Sequence, residues 1–305
     1  DKGCSMGGMA QTRGSGILFA LSAGIIWGFL PVYIHFLGNV DPLKIVAHRS
    51  LWSFVMLLGI VLLRCQISMA LQFFVNKKLL VSFILTTCFL SANWIVYVYA
   101  VQSGHVASAA LGYFIYPICT VLLGIIILRE RLDRWAWLAI FCVTIGVLVK
   151  SFLIAGVPWV ALSVAVTFSL YVVARKRLKV DQILGLFVET LRLIPMSLTF
   201  FGWLAWSGQS IFFCGGVTFV LLAMLVGVLT VVPLFLFHIG NQLLSVTMAS
   251  LLFYSNPTTQ LLLAILLFGE AFVARDFLVF GPIWFGITTY FVTLPKTGRP
   301  VLLNG

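Results

Sequence analysis

Residues 108–130 read SAALGYFIYPICTVLLGIIILRE, and residues 248–270 read MASLLFYSNPTTQLLLAILLFGE. At an offset of 140 positions, Leu111 falls on Leu251, Tyr113 on Phe253, Pro117 on Pro257 and Glu130 on Glu270. The same offset carries Gln102 onto Gln242 and Gly146 onto Gly286, and an offset of 141 carries Leu21-Ser22 onto Leu162-Ser163. One spacing held across three successive apolar segments points to an internal repeat.

Both stretches are long enough to cross a membrane, and the chain repeats that length. Its 305 residues are 62% hydrophobic and 9% charged, with a mean hydropathy of +1.13. A soluble domain carries about 25% charge, so this chain lacks the polar surface to cover itself in water. Crossing the hydrocarbon core takes about 20 apolar residues in a helix. The runs predict spans over residues 14–36, 46–63, 79–101, 107–128, 134–150, 157–174, 183–205, 217–238, 245–267 and 276–294. They are continuous rather than alternating, which excludes spanning strands. The expected fold is an all-α polytopic membrane protein with ten transmembrane helices as two inverted five-helix repeats. The repeats take residues 14–150 and 151–294, with cytoplasmic tails at 1–13 and 295–305. The first span exceeds the apolar core of a cleaved signal peptide and is expected to be retained.

The net charge of +11 is distributed by side rather than by patch. With the N-terminus inside, fourteen of the nineteen Lys and Arg fall in inner loops and tails, four on the outer side, and Arg192 within a span. The positive-inside rule then puts both termini in the cytoplasm. That distribution removes the case for nucleic acid as a partner. The run Arg175–Lys179 reads as an orientation signal beside lipid headgroups. Five spans per repeat is an odd number, so the halves are inverted relative to each other, an arrangement secondary transporters use for alternating access.

Candidate site residues follow from what a membrane interior does to polar groups. Pro117 and Pro257 each interrupt a backbone hydrogen bond near mid-span, where irregular backbone is tolerated along a cavity. Around them lie Tyr113 on one span and Tyr254, Asn256 and Gln260 on its counterpart, with Asn93, Trp94 and Tyr97 on the third span and Trp27 on the first. Buried amides cost several kcal/mol unless paired, so these faces are expected to turn inward, toward a substrate or toward neighbouring helices. Aromatic and amide groups together suit an amphiphilic substrate. His48, Arg49 and Glu189 are gating or coupling candidates, because ionisable groups within spans are functional by default. Arg49 is within snorkelling reach of the outer surface, and Glu189 has Arg192 three residues on as an available partner. At the offset of 140, Arg49 corresponds to Glu189. The six cysteines show no CxxC pair, and the four histidines show no metal-ligand spacing. Nothing resembles a Walker loop, a nucleophile elbow or a dinucleotide fingerprint, so no cofactor, metal or catalytic residue is expected and the chain does not read as an enzyme.

The strings AHRSLWSF (47–54), SANW (91–94), LGYFIYP (111–117) with LRE (128–130), and VVARKRL (172–178) resemble the RarD family, EamA-type members of the drug/metabolite transporter superfamily. The resemblance runs through nearly the whole chain. It implies ten helices in inverted repeats, a central cavity and a place in the bacterial cytoplasmic membrane. It also implies a permease for small amphiphilic metabolites, amino-acid-like compounds or drugs, with export favoured. The expected partners are a small-molecule substrate and membrane lipids, with a proton gradient as a candidate driving force, and a monomer or homodimer as the working unit. Uptake or exchange of a nucleotide-like metabolite is the alternative within this class. A membrane-embedded enzyme, or a sensor, is the alternative outside it.

Overall fold

The computed structural model describes residues 13–37, 40–103, 105–153, 158–210, 217–267, 269, 271 and 273–293. Among them are thirteen helices and no strand. They are α1 (Arg13–Gly28), α2 (Leu30–Leu37), α3 (Pro42–Leu63), α4 (Ile67–Val75), α5 (Lys77–Gln102), α6 (Val106–Leu128) and α7 (Arg134–Leu153). Then come α8 (Pro158–Arg177), α9 (Gln182–Trp206), α10 (Val217–Leu243), α11 (Val246–Leu252), α12 (Ser255–Leu266) and α13 (Ala274–Thr293). Eight of the described helices are long and apolar enough to cross a membrane. Leu18, Leu63, Ile126, Phe152 and Leu266 stand exposed around the outside, as lipid-facing side chains do. The protein is an all-α polytopic membrane protein.

Local chemistry sets several helix starts. Asp41 accepts from Leu43 N at 2.8 Å and Pro42 opens α3, so this helix begins four residues before the apolar run suggests. Asp181 accepts from Ile183 N and Leu184 N, both at 3.0 Å, and starts α9. The stretch 67–75, between the expected second and third spans, is the short helix α4. It lays Phe73 against Phe83 of α5, with ring centroids 5.4 Å apart, while Met69, Leu71 and Val75 stay exposed, in the manner of an interfacial helix.

The stretches expected as the first and ninth spans are each divided. A break at Phe29 separates α1 from α2, and Phe253-Tyr254 separates α11 from α12. The two prolines therefore differ. Pro117 lies inside the unbroken α6. Pro257 is the third residue of α12, where a helix has no carbonyl partner for the missing N–H.

Close approach between helices rests on small residues, as it does where lipid removes the hydrophobic drive. At the crossing of α7 and α13, a Cβ on Gly146 would run into the Val279 carbonyl oxygen, and a Cβ on Gly286 into the Ala139 carbonyl oxygen. Each residue of one contact stands 140 positions from its counterpart in the other. Elsewhere α6 and α5 lie on α8, α1 and α3 on α10, and α3 on α9.

Candidate functional site

Where α1, α5, α6, α8 and α10 converge, their side chains form a group of rings. Trp27 lies 6.5 Å from Phe168, 5.7 Å from Phe237 and 5.7 Å from Phe253, centroid to centroid. Tyr113 lies 6.1 Å from Phe168 and 6.4 Å from Tyr97, and Phe237 lies 5.9 Å from Phe253. Tyr97 and Phe237, like Tyr113 and Phe253, are 140 positions apart, and Trp27 and Phe168 are 141 apart. Rings at these matched offsets thus stand together, and the hydroxyls among them are those of Tyr97 and Tyr113. Such a wall suits the apolar or π-faced part of a ligand.

Arg49 is the charge that meets this wall. It sits seven residues into α3, roughly 10 Å along the helix at the usual rise. Its guanidinium carbon lies 4.4 Å from the centroid of the Trp94 ring, and Tyr113, Tyr97 and Tyr171 are within its electrostatic reach. The side chain is turned inward onto these rings instead of snorkelling outward. Buried His48 packs on Phe201 of α9, with ring centroids 4.9 Å apart.

A second constellation lies across α5, α8, α9 and α10. Glu189 and Arg175 are both 1% exposed, and Arg175 Nε stands 3.5 Å from Glu189 Oε1. Thr86 donates to Glu189 Oε1 at 2.7 Å and Tyr171 donates to Oε2 at 3.0 Å. Tyr171 also shares a 2.8 Å hydrogen bond with His238 Nε2. Arg175 Nη2 donates to Gln182 Oε1 at 3.2 Å. Gly185 makes room for this, because a Cβ there would land on the Arg175 guanidinium. Glu189 pairs with Arg175, and the guanidinium carbons of Arg175 and Arg192 lie 5.7 Å and 5.8 Å from the centroid of the Phe83 ring.

The basic run is correspondingly not a simple headgroup signal. Arg175 is buried in the ion pair, Lys176 Nζ donates to the Asn241 and Leu244 carbonyls at the end of α10, and Arg177 Nη2 donates to the Ile127 carbonyl at 2.6 Å. Lys176 and Arg177 thus hold helix C-termini, where carbonyls lack partners. Lys179 is exposed.

A cleft of about 210 Å³ opens between α3, α5 and α9, with Ser50, Ser91, Trp94, Tyr99, Leu193 and Ser197 on its walls. A narrower cavity on the other side of Trp94 reaches Ser53, Glu189, Thr190 and Thr230. Trp94 therefore stands between the cleft and the ion pair.

Of the residues singled out in the sequence, the structure brings Trp27, Arg49, Trp94, Tyr97 and Tyr113 together. Others serve contacts between or within helices. Asn93 donates to the Val164 carbonyl at 2.9 Å, and Gln260 Nε2 donates to Asn256 Oδ1 at 2.7 Å. Tyr254 donates to the Phe114 carbonyl at 2.6 Å. Pro117 and Pro257 are buried. Glu130 accepts from Val246 N at 2.6 Å and Thr247 N at 3.1 Å, capping α11; its counterpart Glu270 lies outside the described residues, as do Cys4, Cys214 and both expected tails save Arg13. Sequence reasoning missed Thr86, Tyr171, Arg175 and His238. The i,i+4 spacing of Tyr171 and Arg175 on one helix face was the available signal.

The model of the EamA-like transporter family matches residues 14–152. A Vibrio cholerae protein named as an uncharacterized transporter is 33% identical over 95% of this chain and 96% of its own. Protein RarD of Salmonella typhimurium is 32% identical over 95% and 98%. The uncharacterized transporter YojE of Bacillus subtilis is 34% identical over 95% and 97%. A crystal structure of a protein at 19% identity superposes with a TM-score of 0.73 over 92% of this chain and 99% of the other, which shows the shared fold.

Proposed function

The chain belongs to the RarD group of the EamA-like transporter family, and from that premise we propose that it is a secondary transporter of small amphiphilic metabolites, amino-acid-like compounds or drugs. Membership makes it a membrane transporter of the drug/metabolite superfamily. The finer reading is ten spans in two inverted five-helix repeats, with α1–α2 and α11–α12 each forming one divided span. Both termini face the cytoplasm of a bacterial inner membrane, and net movement is outward by alternating access. The observation that carries it is the matched set of rings, Tyr97 with Phe237, Tyr113 with Phe253 and Trp27 with Phe168, gathered where the two halves meet. A site shared evenly by two inverted halves can be exposed to either side when the halves exchange conformation.

In this reading the buried Arg175–Glu189 pair closes the cytoplasmic side. It ties α5 of the first half to α8, α9 and α10 of the second through Thr86, Tyr171 and His238. The cleft reaching Trp94 lies toward the other end of the same helices. Opening inward requires that pair to separate.

Proteoliposomes loaded with amino acids or chloramphenicol test the proposal by counterflow, with and without a pH gradient. Accumulation of at least one labelled solute, abolished when Trp27 is replaced by alanine, is the expected result. A broad panel with no flux in either condition counts against it.

A further inference from the structure

We propose that Arg49 anchors the carboxylate of the transported solute, so that the substrates of this site are small organic acids with an apolar or aromatic body. The inference rests on the transport reading above and names the substrate class of that same site.

The argument is one of charge accounting. Arg49 lies within a membrane-spanning helix, where an arginine is costly unless something compensates its charge. Its guanidinium rests on the Trp94 face, and its Nε is buried without a hydrogen-bond partner. Every carboxylate among the described residues is engaged elsewhere. Asp41, Asp133, Asp181 and Asp276 accept from backbone N–H groups at helix starts. Glu130 caps α11, and Glu189 is held by Arg175, Thr86 and Tyr171. No ion pair to Arg49 occurs among the described residues. A cation–π contact is a weak offset for a guanidinium whose Nε is buried within a span. The missing countercharge is then one that arrives and leaves.

The surroundings fit that role. The cleft of about 210 Å³ leads to Trp94, the ring on which the guanidinium rests. A guanidinium fork matches a carboxylate in two parallel hydrogen bonds. The Tyr97 and Tyr113 rings, 6.4 Å apart, provide faces for an apolar body and hydroxyls within electrostatic reach of Arg49. An anchor that is unsatisfied when empty and satisfied when filled also biases the two states of a carrier by differential binding.

The test uses purified full-length protein in phosphatidylcholine nanodiscs. Labelled phenylacetate is the probe, and phenylacetamide, of the same shape without the charge, is the competitor. The expected result is an acid-over-amide preference of about tenfold or more, the discrimination of a charge-assisted pair. Arg49→Gln loses the preference, and Arg49→Lys keeps part of it because it restores the charge without the fork. Thermal melting of Arg49→Gln is expected to be unchanged or higher, since the exchange removes an uncompensated charge. Should that variant not fold, the acid-over-amide ratio of the wild type and of Arg49→Lys still decides. Equal behaviour of acid and amide, binding by neither included, overturns the proposal, as does a preference that survives Arg49→Gln. Repeating the titration with phosphatidylglycerol separates solute from lipid. Unchanged affinity supports a solute carboxylate, whereas displacement assigns Arg49 to a headgroup and overturns it. Counterflow of neutral solutes with no acid preference would sink this inference and leave the transport reading standing. Arg49-dependent acid binding with no flux of any solute would do the reverse.

Discussion

The hydroxyl of Tyr254 donates to the carbonyl oxygen of Phe114 at 2.6 Å, and the two residues stand 140 positions apart. Donor and acceptor are therefore related by the offset that carries Pro117 onto Pro257. The bond joins α6 to the break between α11 and α12. Both side chains are buried, and their rings lie edge to face with centroids 6.4 Å apart.

Tyr254→Phe keeps the ring and removes this bond. It is expected to cost about 1 kcal/mol, the net worth of one intramolecular hydrogen bond. Thermal melting in detergent should fall modestly. Binding of a solute held at the Arg49 and Trp94 site should not change, because Tyr254 spends its hydroxyl on Phe114. A large loss of binding without loss of stability would move Tyr254 into the site.

The crossing of α7 and α13 permits a paired prediction. Gly146→Val and Gly286→Val each push a side chain into the backbone of the other helix. Each is expected to destabilise by about 1–3 kcal/mol, the range for overpacking, read as reduced monodisperse yield and a lower melting temperature. Similar losses from both follow from their matched environments. A harmless outcome at one and not the other would mean that the crossing is lopsided.

Sidedness is open to labelling. In a background without reactive cysteines, Lys179→Cys should react with an impermeant maleimide in inverted vesicles only, and Lys150→Cys in right-side-out cells only. The reverse pattern would turn the molecule over and put the Arg175–Glu189 pair nearer the outer face.

Much of the fold was legible because lipid imposes one rule along the whole chain. Long apolar runs had to be helices, and the recurrence of Gly146 at Gly286 marked a real crossing. Asn256 and Gln260, four apart, do bond to each other. The break at Phe253-Tyr254 was hidden, since Pro257 looks the same inside a helix as in its first turn. Trp27, Trp94, Tyr97 and Tyr113, singled out by residue type and depth, do turn inward beside other rings and Arg49. Arg175 was not, because three of its four following residues are Lys or Arg, and such runs ordinarily face water. What pulls it inward is a partner fourteen positions away, a small residue at Gly185 and the N-cap at Asp181 that turns α9 back alongside α8. Arg192 offered Glu189 a nearer partner by sequence. Tertiary packing chose the farther one.

That choice makes the buried pair separable by mutation. Glu189→Gln leaves Arg175 as an uncompensated cation and is expected to cost about 3–5 kcal/mol, as is usual when one partner of a buried pair is removed. Arg175→Met strands the carboxylate and should cost a similar amount. The double variant Arg175→Met with Glu189→Gln removes both charges and should recover much of the loss. Melting temperatures of the four proteins form a double-mutant cycle, and the expected coupling is favourable and large. If the losses merely add, the pair is not an energetic unit. Function gives an independent readout. A closure made by this pair predicts that the double variant, although folded, labels more readily at a cysteine placed at Thr86 from the cytoplasmic side. Unchanged labelling in a stable double variant would leave the pair as a structural tie and require another element to close that side.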